Sequence, residues 1–454
     1  MTSRYVLTAI GLALIMAPHA GSAEGPQVFA IRNARIVPVS KAPIDKGTVV
    51  VRDGLIEAVG ATVEPPPDAW VIEGAGLTVY PGLIDGLSTW GLPTALGVPV
   101  PATTTRSTVT AVAPVAMTTT PVRPINGPED RPSNTSYVKA ADEIVAGDAS
   151  IESARDAGFT TAITFPTTNI FAGQGVIFNL AGERSGAMVV NPSAGMYISL
   201  GTIAQRTGGI PGTPPAPRMF PGSLMGVIAY IRQIYLDADH YKLANEIYAK
   251  HPEGLQRPPY DRTLEAVLAS PRILLPASRA VEIDRMARLG QELKRATVIY
   301  GGAEAWRAAS FLKESNTPVL ISLKWPERPP TADPENADSL RVLEMRDKAP
   351  STPGVLAKEG VRFAFYSDGI ANAKDVIKAV KRAIDAGLTA DNAVRAMTLS
   401  AAEIYNVADR LGSIDKGKIA NLLVTDGEVF QDRTKVKYVF VDGIKYEPPV
   451  EKAQ

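Results

Sequence analysis

Val79-Tyr80-Pro81-Gly82-Leu83-Ile84-Asp85-Gly86-Leu87-Ser88-Thr89 divides the chain into two rhythms. On its N-terminal side, residues 28–39 (VFAIRNARIVPV) mix alternating apolar positions with β-branched residues, the pattern of strands. Residues 48–60 (TVVVRDGLIEAVG) read as a hairpin, because Asp53-Gly54 supplies the positive φ angles of a tight two-residue turn. Residues 69–80 add a further strand pair that runs into Pro81-Gly82.

From Leu83 onward helices alternate with short buried strands. A short helix ends at Gly158 and is followed by strand Thr160–Phe165. Helix Ala280–Leu293 leads to strand Ala296–Tyr300, and helix Ala303–Ser315 to strand Pro318–Leu323. Helix Pro353–Glu359 leads to strand Arg362–Tyr366, and helix Ala373–Ala386 follows. Such alternation implies parallel βαβ units. Repeated over roughly 300 residues, it has the length of an eightfold (β/α) barrel. The C-terminus returns to strands at 419–425 (IANLLVT) and 436–446 (VKYVFVDGIKY), the latter turning at Asp442-Gly443. Strands at both ends of a βα array predict an α/β protein: a (β/α)8 TIM-like barrel with a composite β-sandwich domain formed by N- and C-terminal strands.

Two stretches interrupt the rhythm. Residues 97–136 are rich in Thr, Pro, Ala and Val, and residues 209–222 (GIPGTPPAPRMFPG) in Pro and Gly. Proline at that density is incompatible with helix interiors and central strands, so both read as long loops above the barrel. A long helix is expected over 224–251. The expected division is therefore a signal peptide at 1–23, the composite β unit at 24–80 plus 410–450, and the barrel at 81–409, with insertions near 97–136 and 209–251.

The signal peptide rests on Arg4, the apolar run Val6–Ala17 and the small residues Gly21-Ser22-Ala23, with cleavage expected after Ala23. The run is too short to span a bilayer comfortably, and no later segment is long and apolar enough to do so. A periplasmic or secreted location is expected. Of 454 residues, 47 are basic and 47 acidic, so the formal net charge is zero and no electrostatic case exists for a nucleic-acid partner. The absence of cysteine excludes disulfides, thiolate metal sites and a cysteine nucleophile. Only three histidines occur, His19, His240 and His251, and the first lies within the signal.

Several stretches resemble the metal-dependent amidohydrolase superfamily, in its imidazolonepropionase- and prolidase-like branch. They are the VYPGLID segment ending at Asp85, Ser367-Asp368-Gly369 after Phe363-Ala364-Phe365-Tyr366, and Ala396-Met397-Thr398-Leu399-Ser400-Ala401-Ala402-Glu403. The fourth is Leu411-Gly412-Ser413-Ile414-Asp415-Lys416-Gly417-Lys418-Ile419-Ala420-Asn421, and the closing strand is VFVDGIKYE. The resemblance implies a barrel whose C-terminal mouth holds zinc or another divalent metal. That metal lowers the pKa of a bound water and polarises a scissile carbonyl. Its ligands would be a His-X-His pair after the first strand, histidines on the fifth and sixth, and an aspartate on the eighth that also acts as general base.

The chain departs from this pattern at each histidine. The His-X-His positions hold Leu87 and Thr89, the fifth-strand position falls on or beside Pro276, and the sixth-strand position falls near Gly301. None offers the imidazole that zinc-like metals favour. Only Asp368 remains. His240 and His251 are eleven residues apart, about 16 Å along one helix at 1.5 Å per residue, too far to share an ion. A divergent member without its histidine ligands is expected to need no metal cofactor.

Asp368 has two readings: a general base on a water, or a residue that caps the next helix or hydrogen-bonds in the mouth. Asp85 reads as structural, ending a strand at a tight turn. Lys324 after a strand is a candidate for binding a substrate carboxylate, and Glu304 and Trp306 are candidates for a pocket wall. Phe171-Ala172-Gly173-Gln174-Gly175 offers main-chain N–H groups to an anion. Two functions follow: a non-catalytic homologue that binds an amide or peptide-like ligand or assists an active relative, or a hydrolase of C–N bonds using Asp368. The expected partners are such a small ligand, a second copy of the chain or an active relative.

Overall fold

The structure is a computed structural model; it describes residues 28–96, 131–201, 221–329, 333, 335, 337–370 and 372–449. The expected signal peptide, His19, most of the Thr/Pro-rich stretch and nearly all of the Pro/Gly-rich stretch lie outside the described residues.

The N-terminal strands are β1 (Val28–Ile36), β2 (Ile44–Arg52), β3 (Leu55–Gly60), β4 (Trp70–Glu73) and β5 (Thr78–Pro81). The barrel strands are β6 (Leu83–Ser88), β7 (Phe159–Thr164), β8 (Phe171–Asn179), β9 (Val189–Ile198), β10 (Ile273–Ala277), β11 (Thr297–Gly301), β12 (Val319–Ser322) and β13 (Phe363–Tyr366). The chain closes with β14 (Leu422–Thr425), β15 (Val436–Val441) and β16 (Ile444–Tyr446).

The first and last groups share one sheet in the order β16-β15-β14-β5-β1-β2-β3, with β4 also beside β1. The sheet curls on itself, so that Phe29 of β1 meets Phe440 of β15 at 5.4 Å between ring centroids. Asp53 and Gly54 have φ of 49° and 78°, and Asp442 and Gly443 have φ of 52° and 77°, as two-residue hairpin turns require. The two turns pack tip to tip: a Cβ on Gly443 would stand 2.7 Å from the Gly54 Cα. The composite unit is thus joined by hydrogen-bonded ladders and by contact between its turns.

The barrel sheet runs in the order β13-β12-β11-β10-β9-β8-β7-β6, and a buried apolar cluster fills its lumen. Alternation along each strand decides what points inward: Val298 and Tyr300, Leu320, and Ala364 and Tyr366 lie in the lumen cluster. The outward-facing Ile299, Ile321 and Phe365 belong to the cluster that meets the surrounding helices.

Strands β9 to β13 are parallel, and so are β6 and β7. The wholly parallel pattern expected from the sequence is corrected at β8, which runs antiparallel to both β7 and β9. That strand contains the FAGQG segment. Its main-chain groups are committed to sheet pairing, and the Gln174 main-chain N–H donates to the Val138 carbonyl at 2.8 Å. Gly175 is needed there because a Cβ would stand 2.2 Å from the Phe165 ring. The segment is a packing device and not an anion loop.

Strands β6 and β13 meet at the barrel seam. A Cβ on Gly86 would lie 2.7 Å from the Phe365 carbonyl oxygen, so the first strand approaches the last closely only because residue 86 has no side chain. The expected helix over 224–251 is present as Leu224–Lys250, started by the Ser223 side chain accepting from the Gly226 N–H.

Candidate functional site

The C-terminal ends of the barrel strands surround a narrow cleft lined by Leu87, Ser88, Thr89, Thr167, Tyr197, Tyr300, Tyr366, Asp368 and Gly369. Its inner space is about 20 Å³, room for roughly one water molecule. Three tyrosines account for this. Tyr197, near the end of β9, stacks on Tyr300 of β11 at 5.0 Å, and Tyr366 of β13 meets Tyr300 edge-on at 6.4 Å. All three are buried, and burial pushes each phenol well above its ordinary pKa, keeping it neutral. Tyr300 donates to the Ile198 carbonyl at 3.1 Å, while the buried Tyr366 hydroxyl lies beside Asp368 and Ser322 without a well-formed hydrogen bond.

Asp368 follows β13 in a left-handed conformation, φ 49°, which a non-glycine residue holds only when its surroundings fix it. One carboxylate oxygen accepts from Ser322 Oγ at 2.6 Å. Burial raises its pKa, while the Ser322 hydrogen bond and the nearby Lys324 charge pull it down. The following helix, Ala373–Asp385, is capped by Asn372, whose side chain accepts from the Lys374 N–H. Asp368 is therefore a mouth residue and not a helix cap.

Asp85 stands behind this wall, fully buried. It lies within β6 rather than at its end, correcting the turn position expected from the sequence. Its Oδ1 accepts from the Ser367 N–H at 3.0 Å and the Leu87 N–H at 3.3 Å, and its Oδ2 has no hydrogen-bond partner among the described residues. Burial, opposed by the Ser367 and Leu87 hydrogen bonds and reinforced by the Asp368 charge, pushes its carboxyl up to about 7.

The other candidates fare differently. Lys324 is exposed after β12, close enough to act on the Asp368 charge. Glu304 does not line the cleft: its carboxylate accepts from the Ala280 N–H at 3.0 Å, at the start of helix Ala280–Glu292, and lies 3.4 Å from Arg341. Trp306 is also outside the cleft, with the Arg307 guanidinium 4.6 Å over its ring. Sequence reasoning missed Tyr197, Tyr300, Tyr366 and Ser322. For β11 and β13 the signal was available, because alternation from Val298 and Ala364 points Tyr300 and Tyr366 into the lumen.

These side chains do not fit a zinc-like ion. At the cleft the histidine positions hold Leu87 and Thr89, and Tyr300 occupies the sixth strand just before Gly301. Among the described residues no group of three or more His, Cys, Asp or Glu side chains is placed to hold a metal. Asp368 alone supplies too few ligands.

Residues 332–445 match the amidohydrolase family. No curated protein matches the chain. Among solved structures it is similar to an amidohydrolase from Thermotoga maritima MSB8, with 25% identity and a TM-score of 0.72 over 92% of this chain and 100% of the other. It shares its fold with a prolidase complexed with N-methylphosphonate-L-proline, at 16% identity and TM-score 0.52 over 92% of this chain and 99% of that one. It likewise shares the fold of molinate hydrolase, at 16% identity and TM-score 0.52 over 93% and 95%.

Proposed function

From a chain that carries an amidohydrolase-family domain on the amidohydrolase fold, we infer an exported homologue that works without the family's metal chemistry and binds a small amide or peptide-like ligand at the barrel mouth. One observation carries the reading. Where the resemblance implies imidazole ligands, the mouth holds Leu87 and Thr89, and the stacked rings of Tyr197 and Tyr300 occupy its interior. The cleft itself admits about one water molecule, so the ligand would rest on its outer rim, where the half-buried Asp368 and the exposed Lys324 offer a carboxylate and an ammonium group to an amide with a charged end. Support of an active relative, as a partner subunit, is compatible with the same filled mouth.

The test is metal content. The mature protein, purified without chelators, should carry far less than one equivalent of zinc and should not hydrolyse a panel of dipeptides and lactams. Stoichiometric zinc, with hydrolysis abolished by a chelator, would overturn the reading.

A second reading, a C–N hydrolase with Asp368 as general base, is favoured by one feature: a half-buried carboxylate in a strained backbone at the cleft. It requires turnover that disappears in Asp368→Asn. Equal rates in the two proteins would reject it.

A further inference from the structure

At the opposite end of the barrel lies a larger cavity, about 320 Å³. It sits where β10 to β13 begin: Arg272 immediately precedes β10, Thr297 opens β11, Pro318 precedes β12 and Arg362 precedes β13. Three arginines, Arg272, Arg295 and Arg362, face it, and among the described residues its lining contains no Asp or Glu. The volume falls in the range of small-ligand sites, about 300–1,000 Å³, whereas the mouth cleft admits little more than a water.

The charges are not neutralised from within. Arg295 reaches outward to Asp239 at 3.1 Å, but its Nε is buried without a hydrogen-bond partner among the described residues. Arg362 donates to the Asn316 side-chain oxygen at 2.9 Å, a neutral acceptor. Arg272 is the most telling. It is only 6% exposed, its Nη1 has no hydrogen-bond partner among the described residues, and its guanidinium lies 5.3 Å over the Tyr405 ring. Burial pushes its pKa down. A buried cation without an anion is costly and is retained where something compensates it.

The backbone makes room for this side chain. Gly195 of β9 has φ 144°, and a Cβ there would stand 2.7 Å from the Arg272 Cγ. The fold thus threads the Arg272 stem past β9 and holds the guanidinium at the cavity.

We propose that the cavity formed by Arg272, Arg295, Arg362, Gln291, Asn316 and Thr297 is a binding site for a small oxyanion ligand bearing phosphate or carboxylate groups. Guanidinium forks pair with either group through two parallel N–H···O bonds, and the flanking amides and hydroxyl supply neutral polar contacts. The site is independent of the mouth.

Inorganic phosphate and citrate, each titrated calorimetrically into the full-length protein at an ionic strength fixed with sodium chloride, test the proposal. Saturable binding of one equivalent is expected for at least one of them. Binding of phosphate alone assigns a phosphorylated ligand, and binding of citrate alone a carboxylic acid. Loss of one charge-assisted hydrogen bond lowers affinity about tenfold, so Arg362→Gln should weaken binding about that much and Arg272→Gln more. If Arg272→Gln fails to fold, the double variant Arg295→Gln/Arg362→Gln takes its place. Asp368→Asn should bind as wild type does. No saturable heat with either anion, affinity unchanged in the arginine variants, or binding lost in Asp368→Asn would each overturn the proposal.

Discussion

Asp85 accepts the Ser367 main-chain N–H at 3.0 Å, tying the first barrel strand to the residue immediately before Asp368. One buried carboxylate thereby sets the height of the other in the mouth. The Asp85 Oδ2 has no partner among the described residues, so burial imposes an electrostatic cost whenever Asp85 ionises, which the Ser367 bond only partly offsets.

That cost has a defined pH signature. The Asp85 carboxyl is raised from 3.8 to about 7 in the folded protein. The folded state then binds more protons than the unfolded state between those values. Its contribution to stability is full below pH 3.8, falls as pH rises, and is gone above about 7, a loss of about 4 kcal/mol. Asp85→Asn removes this slope. The midpoint temperature of the variant relative to wild type should therefore be higher at pH 8 than at pH 4.5, as calorimetry at the two pH values would reveal. An equal difference at both pH values would show that Asp85 does not titrate in this window.

Gly86→Ala should be strongly destabilising. The added Cβ would meet the Phe365 carbonyl at 2.7 Å, and backbone at a barrel seam cannot move aside cheaply. Overpacking of this kind costs about 1–3 kcal/mol or more, measurable as a lower urea midpoint. A midpoint equal to wild type would mean that β6 and β13 are not in close contact.

Tyr300→Phe and Tyr300→Ala separate two roles of one residue. The first strands the Ile198 carbonyl that Tyr300 OH serves at 3.1 Å, at about 1–3 kcal/mol. The second also leaves a cavity beneath Tyr197, and truncation of a large buried aromatic costs about 3–5 kcal/mol. Denaturant unfolding should rank wild type above Phe and Phe above Ala.

Glu304→Ala should lower stability by about 1 kcal/mol or more, as loss of a helix-start acceptor does, because Glu304 holds the Ala280 N–H. Thermal unfolding reads this directly. Ligand binding at the mouth should be unaffected, and a large loss of binding would restore Glu304 to the pocket wall.

The barrel was legible from sequence where period and punctuation agreed. Asp53-Gly54 and Asp442-Gly443 fix their turns by positive φ, a purely local demand. β11 and β13 announce themselves as short apolar runs after helices. β8 was not legible: a strand reversed against its neighbours carries the same alternation as a parallel one, and its glycines imitate an anion loop. At the site, Asp368 stood out because it follows a recognisable strand. Tyr300 and Tyr366 were legible through alternation along β11 and β13, but Tyr197 was not, since it belongs to β9, which no local signal separates from its surroundings. Arg272 and Arg295 were invisible as a pair because 23 positions, 272 to 295, separate residues that only the barrel brings together.

The tip-to-tip hairpins of the composite sheet bear on the order of assembly. β5 takes β14 as its neighbour, and some 340 residues lie between Pro81 and its partner Leu422. A ribosome making this chain releases the first five strands long before the strand that completes their sheet exists. Until then the edge of β5 is open, and such edges recruit other chains. The nascent protein should need a holding chaperone for most of its synthesis.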